Sequence, residues 1–387
     1  MLGVVQSIII KAVSICNLAC TYCSAKCSEH LPQQVSPECV LAVFQELLDH
    51  HQICSPCKVI WHGGEPTLYD PEKADHIMSE LVLMGKKQCV EFDFVMQTKG
   101  FSISPPWMRL IQNYKIGIGI SCDGPEKIHD LCRKTMSKTG SYKNVMDTIR
   151  TFSNLKIPVS LLSVIDIRQA ENVKGFYSWA AKMNLPIKLN PLFSDAMEAE
   201  DFSRYLNFLR GFLQCYLQDD ADFSVEPLKG MFQSILNDSP ARECAFSGNC
   251  GKHILCIDYS DRLSACGRIN EKNGYSHPIA AGKIIETVKK IQSQAAAELK
   301  TRFSLMQCST CSWFKICHAG CSAYLDQNNI VFYCKAIRDF WDFMNGDALR
   351  LLKKRLLKER ELILSHQNQF LREENREENE QSAGFDH

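Results

Sequence analysis

Apolar residues recur along the first 230 positions in two alternating rhythms. Short apolar runs at 4–13, 58–61, 90–96, 116–121, 159–165 and 187–191 read as strands buried on both faces. Between them, the stretches 37–50, 71–85, 105–113, 142–153, 170–183 and 201–218 place their apolar residues at the helical period. Six strand–helix units in this order predict an α/β fold, with a parallel sheet and right-handed crossovers curled into a partial (β/α)6 TIM-like barrel. In such a sheet, chemistry belongs on the loops that follow the strand C-termini.

Residues 231–345 have a different texture. Their segments read as short and weakly periodic, and eight clustered Cys plus Cys256 lie among them. So little periodicity predicts a small domain stapled by something other than a hydrophobic core. From 346 onward the chain reads as a charged helix with Leu349, Leu356, Ile363 and Phe370 at seven-residue spacing, beside Leu352, Leu357, Leu364 and Leu371. That stripe suits a helix partner, a groove, or packing against the barrel. The end, 373–387, is acidic and polar and is expected to be disordered. The expected domains are therefore 1–230, 231–345 and 346–387.

Composition removes several function classes. Lys plus Arg equals Asp plus Glu at 44 each, so nothing advertises a nucleic-acid or membrane-surface partner. No apolar run reaches the length of a membrane span, and residues 1–11 lack the pattern of a secretion signal. Abundant thiols in such a chain predict a reducing, cytoplasmic setting.

The Cys themselves fall into two patterns. The first is Cys16-x3-Cys20-x2-Cys23; the second is Cys308-x2-Cys311-x5-Cys317-x3-Cys321, with Cys334 downstream and Cys244, Cys250 and Cys266 upstream. Thiolates so closely spaced hold soft metals, and iron–sulfur cubes take three or four each. Three and eight divide into one open cluster and two closed ones. A disulfide framework suits small secreted chains rather than one of 44.0 kDa. A zinc ribbon fits Cys308 to Cys334 but leaves the N-terminal trio unexplained. The remaining Cys27, Cys39, Cys54, Cys57, Cys89, Cys122, Cys132, Cys215 and Cys256 read as ordinary thiols.

The segment Cys16-Asn17-Leu18-Ala19-Cys20-Thr21-Tyr22-Cys23 resembles the CxxxCx(aromatic)C loop of the radical SAM enzymes. The resemblance implies a [4Fe–4S] cluster whose open iron chelates S-adenosylmethionine (SAM), and a 5′-deoxyadenosyl radical that takes a hydrogen from substrate. Tyr22 then borders the adenine. His62-Gly63-Gly64-Glu65-Pro66 resembles the family's GGEP segment, implying that Gly63, Gly64 and Glu65 receive the SAM amino group. Gln97-Thr98-Lys99-Gly100 resembles its QTNG, with Lys99 in place of Asn and Gln97 retained as a SAM contact. The stretch from Ser121-Cys122-Asp123-Gly124-Pro125 to Arg133 resembles the SxDGP…HDxxR pattern of anaerobic sulfatase and peptide maturases. By that resemblance Ser121 and Asp123 face SAM, and Arg133 pairs its carboxylate.

The second Cys pattern resembles the signature of the SPASM domain. Carried over by position, Cys244, Cys250, Cys266 and Cys321 hold one auxiliary cubane and Cys308, Cys311, Cys317 and Cys334 another, making three [4Fe–4S] clusters in all. Asp261 stands where the pattern often has Gly, and tolerates the same left-handed turn. In sulfatase maturases an Asp base follows the Cys matched by Cys266. Here Gly267 follows, and glycine cannot move a proton. No other base is assigned. The expected function is a peptide maturase that crosslinks a ribosomally made precursor, with a carbon–carbon macrocycle favoured over a thioether or ether. An external donor such as flavodoxin or ferredoxin supplies electrons. The alternatives are a sulfatase-type maturase making formylglycine from Ser or Cys, and a non-enzymatic, zinc-stapled binding protein. With only 15 residues before Cys16, peptide recognition is expected at the barrel mouth, the cluster domain, a separate protein or the C-terminal helix.

Overall fold

Alternating apolar strands and capped amphipathic helices build a sheet whose helices cover one face. The computed structural model describes residues 3–23, 31–166, 172–192, 198–241, 246, 251–268, 276–325 and 330–356. In chain order the elements begin β1 (Val5–Val13), α1 (Pro37–Asp49), β2 (Ile53–Gly63), α2 (Pro71–Gln88), β3 (Phe92–Thr98), α3 (Pro105–Asn113), β4 (Gly117–Ser121) and α4 (Glu126–Cys132). There follow α5 (Tyr142–Asn154), β5 (Val159–Ile165), α6 (Val173–Met183), β6 (Ile187–Pro191), α7 (Ala199–Gln218), β7 (Val225–Glu226) and α8 (Leu228–Asn237). Beyond them lie β8 (Ile254–Ile257), β9 (Arg262–Ser264), β10 (Ser276–Pro278), α9 (Ile284–Leu305), α10 (Phe314–Cys317) and α11 (Cys334–Phe343).

Helix starts follow local chemistry. Ser36, Asp70 and Ser104 each cap a first turn through a side-chain oxygen, with Pro at the first helical positions of α1, α2 and α3. The α1 stripe Val40, Val43, Phe44, Leu47 and Leu48 is buried against the sheet, as its periodicity predicts.

The strand order among the described residues is β10-β9-β8-β1-β2-β3-β4-β5-β6-β7. Strands β1 to β7 are parallel throughout, so the α/β partial-barrel expectation holds. Among the described residues the sheet does not close on itself. Instead β8 pairs in parallel with the outer side of β1, from Ser7↔Ile254 to Ile10↔Ile257, and the β8–β9–β10 meander continues the same sheet.

Several elements differ from expectation. Strand β2 starts at Ile53 rather than 58, because a register shift between Val5 and Ser7 interrupts the alternation. The seven-residue α4 and two-residue β7 are too short to display a period. The expectation of only short segments in 231–345 is overturned by α9, which runs 22 residues. It buries only Ile284, Ile285, Val288, Ile291 and Arg302, so its apolar stripe is faint in sequence.

Helix α11 continues through a π-helical turn, Met344–Ala348, into helix up to residue 356 and packs against α7. Arg355 donates to the carbonyls of Tyr216 (2.6 Å) and Ala221 (2.8 Å), and Leu349 packs onto the core. Leu356 is half exposed, while Ile363 and Phe370 lie outside the described residues. An aromatic knot joins α7 to the Cys-rich segment: Phe202 stacks on Tyr333 at 4.1 Å and meets Phe246, Tyr324 and Phe332 edge-on. Among the described residues no helix is long and apolar enough to cross a membrane.

Candidate active site

The N-terminal Cys trio follows β1 at the C-terminal end of the parallel strands, and its entry is fixed by the glycine pair. Gly64 N–H donates to Val13 O (2.9 Å), and Glu65 N–H donates to Ile15 O (3.0 Å). A Cβ on Gly64 would collide with the Ile15 carbonyl; one on Gly63, at φ 121°, would lie 2.7 Å from Val13 O. The close approach that requires glycine is therefore to the chain's own Cys loop. Glu65, 1% exposed, accepts from Thr67 N–H (3.2 Å), Thr67 Oγ1 (2.9 Å), Thr98 Oγ1 (2.8 Å) and Lys99 N–H (2.7 Å). Its carboxylate knits the end of β2 to the end of β3.

The far side of the loop is held by backbone bonds from Ala19 N–H to Lys134 O (2.8 Å) and from Thr21 N–H to Cys132 O (3.0 Å). Burial pushes the Cys16 thiol up to about 11, with Lys99 opposing; Cys20 is raised by burial, with Arg133 and Lys99 opposing. Cys20 acts electrostatically on Cys16, and Cys23 on Cys20, so the three sulfurs share one neighbourhood. Three soft donors beside two cations, in a site that resists bare thiolate charge, fit an anionic metal cluster.

Asp123 is the hub beneath them. Its Oδ2 accepts from Tyr22 Oη (2.5 Å) and Arg133 Nε (2.8 Å), and its Oδ1 accepts from Arg133 Nη2 (3.0 Å) and Val164 N–H (2.9 Å). Asp123 and Arg133 are 2% and 4% exposed, a buried bidentate pair with its remaining lone pairs satisfied. Burial, with Arg133 opposing and Asp123 adding to it, raises the Tyr22 phenol well above its usual value and keeps it donating. The Arg133 fork expected on the SAM carboxylate thus has a protein partner, and Asp123 ties Tyr22 to β4 and β5. His129 supports the hub from behind. Its Nδ1 accepts from Asp123 N–H (3.3 Å), so Nε2 carries the hydrogen to Ser141 Oγ (3.0 Å), which donates to Arg133 O (2.7 Å). Ser121 ends β4, nearly buried, opposite Leu162.

A polar row crosses the inner face of the sheet. Lys11 on β1 registers with His62 on β2; Trp61 pairs with Met96, which sets Gln97 beside His62; and Gln97 registers with Gly119. His62 Nδ1 accepts from Gly63 N–H (2.7 Å), and its side chain bonds Gln97. Burial, then Lys99, Lys11 and Arg268, pushes His62 down to about 3, so it is neutral at physiological pH. Lys11, His62 and Thr98 escaped the sequence reading as site residues. The available signal was a lone charge, Lys11, on an otherwise apolar strand.

In the C-terminal region, Cys308 opens a 3-10 turn, Cys317 ends α10 and Cys334 starts α11. Burial pushes Cys317 up to about 12, with Cys334, Cys308 and Cys311 adding to it; Cys308 rises to about 11 by burial, then Cys334 and Cys311. These four expected ligands are therefore within electrostatic reach of one another. Of the other set, Cys266 accepts from Arg268 N–H (3.2 Å) and Cys321 from Ala323 N–H (3.4 Å), while Cys244 and Cys250 lie outside the described residues. Among the described residues no group of three or more His, Cys, Asp or Glu, in either Cys pattern, is arranged to hold a single metal ion. The ordinary thiols Cys57, Cys122, Cys132 and Cys256 are buried, Cys39, Cys54 and Cys215 half-buried and Cys89 exposed; Cys27 lies outside the described residues.

Comparison with known proteins follows the same lines. A family model described as the radical SAM superfamily matches residues 10–179. The cysteine-type anaerobic sulfatase-maturating enzyme of Clostridium perfringens is 24% identical over 367 residues, covering 87% of this chain and 95% of that protein. The sporulation killing factor maturation protein SkfB of Bacillus subtilis is 26% identical over 159 residues, 41% of this chain and 35% of its own. The solved structure of native anSMEcpe with bound AdoMet and Cp18Cys peptide superposes with a TM-score of 0.75 at 20% identity, covering 90% of this chain and 99% of that one.

Proposed function

The chain is a radical SAM enzyme, homologous to the anaerobic sulfatase maturases, and from that premise we propose that it is a peptide maturase that crosslinks a ribosomally made precursor. Cys16, Cys20 and Cys23 hold the open cluster. When bound, cluster and SAM would supply the radical chemistry that removes hydrogen from the substrate. The chain's own residues do the rest. Glu65 and the Gly63–Gly64 pair lock the loop, and the Tyr22–Asp123–Arg133 hub fixes its floor. Neutral His62 presents a polar but uncharged wall. Cys308, Cys311, Cys317 and Cys334 hold one auxiliary cluster; Cys266 and Cys321, with Cys244 and Cys250, hold the other.

One observation carries the crosslink over formylglycine formation. The position after Cys266 is Gly267, and the space where a side chain would begin is 3.5 Å from Lys11 Cε rather than beside a carboxylate. A proton-accepting Asp is therefore missing where sulfatase maturases keep theirs. The formylglycine reading retains the support of a relative matched over 95% of its length. The test is anaerobic turnover with SAM and reductant on two peptides: a sulfatase-derived Cys peptide, and a precursor-like peptide taken from any short reading frame that adjoins this gene. Loss of two hydrogens from the second, with the first unchanged, supports the crosslink. Loss of sulfur from the Cys peptide, with an aldehyde that hydrazine traps, overturns it.

A further inference from the structure

We infer that the inner face of the barrel carries a recognition site for a carboxylate of the peptide substrate, held by Lys11 in the space left by Gly267. The inference rests on the maturase reading and adds the chemistry of what the site receives. Lys11 lies between buried Ile10 and Ala12 on β1, so it points to the inner face, in register with His62. Gly267 lies against that face: its missing Cβ would sit 3.5 Å from Lys11 Cε, 3.8 Å from Ile9 Cδ1 and 3.9 Å from Cys256 Sγ. All three are ordinary contact distances, so the face carries no side chain at 267 and leaves the end of Lys11 uncovered from that side.

No carboxylate among the described residues forms a salt bridge with that ammonium. Asp258 is within electrostatic reach, but its Oδ1 accepts from Ser260 N–H (2.8 Å) and Arg262 N–H (3.3 Å) and caps their turn. Glu65 and Asp123 are saturated by the donors already described. Lys99 acts on Cys16 and Cys20 and so answers to the trio; Arg268 donates to Tyr324 Oη (3.1 Å). The neutrality of His62 agrees, since the positive field of Lys99, Lys11 and Arg268 rejects a further cation. A half-enclosed ammonium that forms no contact ion pair among the described residues, with Asp258 engaged in its own turn, recognises an anion, and in a peptide enzyme the available anion is an Asp or Glu side chain or the C-terminal carboxylate.

The test uses full-length enzyme, reconstituted anaerobically and held with SAM but no reductant, to capture members of a randomised heptapeptide library. In the amidated library, wild type should retain Asp and Glu members over Asn and Gln members by about tenfold at low salt, and less at high salt. A preference seen only with free C-termini assigns the terminal carboxylate instead. Lys11→Met should erase the preference and Lys11→Arg keep it. Should Lys11→Met fail to fold, Gly267→Asp gives the same answer, because its carboxylate would neutralise Lys11 within the chain. Absence of any carboxylate preference in wild type overturns the inference, as does a preference that survives both Lys11→Met and Gly267→Asp. An equal fall in SAM affinity and peptide preference in Lys11→Met would assign Lys11 to the SAM carboxylate and also overturn it. SAM cleavage by reduced wild type is scored separately. Its absence sinks the maturase reading alone, whereas cleavage without a carboxylate preference sinks this inference alone.

Discussion

The two Cys sites differ in what surrounds them. The N-terminal trio hangs from a finished scaffold, with β1 and β2 in contact through Gly63 and Gly64, backbone bonds to residues 132 and 134, and the buried Asp123–Arg133 pair beneath. The C-terminal quartet hangs from small pieces: a three-residue 3-10 turn, the four-residue α10, and His318, Ala319 and Gly320 all at positive φ. Non-glycine residues hold that conformation only where the surroundings impose it. In the first site the fold holds the proposed ligands; in the second, the proposed ligands would have to hold the fold.

Substitution of the thiols should break this comparison most visibly. Cys20→Ala should reduce SAM cleavage to background and remove about four Fe per chain, while the melting temperature moves by only about 2 °C. Cys317→Ala should instead open residues 306–334 to protease while SAM cleavage falls less than about tenfold. Equal protease resistance of the two variants would remove the distinction.

Next in size is the hub. Arg133→Met leaves the Asp123 carboxylate buried with its charge uncompensated, which should cost about 3–5 kcal/mol in chemical denaturation. A cost below about 1 kcal/mol would mean that the pair is not the support proposed. Glycine substitutions sharpen the contrast at smaller magnitude. Gly64→Ala drives a methyl into the Ile15 carbonyl and should cost about 2–3 kcal/mol together with the trio's iron. Gly346→Ala meets nothing within 4 Å in its helical turn and should be neutral or stabilising by up to about 1 kcal/mol. Similar iron loss in both would detach the glycine pair from the Cys loop.

The smallest effect concerns acid. Burial first, then nearby cations, holds His62 down at about 3 and His129 at about 4, both below the unfolded histidine value of about 6.5. The unfolded chain therefore binds more protons below that value. Barrel stability should be fully present above pH 6.5 and should decline as pH falls toward 4 and then 3. His62→Gln should flatten part of that decline, as read from denaturation midpoints between pH 7 and 4.5; an unchanged slope would mean that His62 is not buried neutral.

Much of this was legible in the sequence, for identifiable reasons. The six barrel strands carry dense apolar runs, and the Cys spacings are local, so both could be read from the chain. Helix α9 could not, because only Ile284, Ile285, Val288, Ile291 and Arg302 of its 22 residues are buried. The continuation of the sheet by β8 depends on the pairing of Ser7 with Ile254, which no local pattern encodes. Asp123 and Arg133 stood out in the sequence as candidate site residues but not as each other's partners, since ten residues of chain between them say nothing about direction. Lys11 becomes informative only once β1, β2 and Gly267 are brought to one face.

The most direct test of the division between an open and two closed clusters is electron paramagnetic resonance of the reduced enzyme with and without SAM. The expected result is that SAM shifts the signal of one cluster and leaves the rest unchanged, and that the responsive signal vanishes when Cys16, Cys20 and Cys23 are replaced by Ala. A SAM-responsive signal that persists in that triple variant would contradict the assignment of the open cluster to the N-terminal loop.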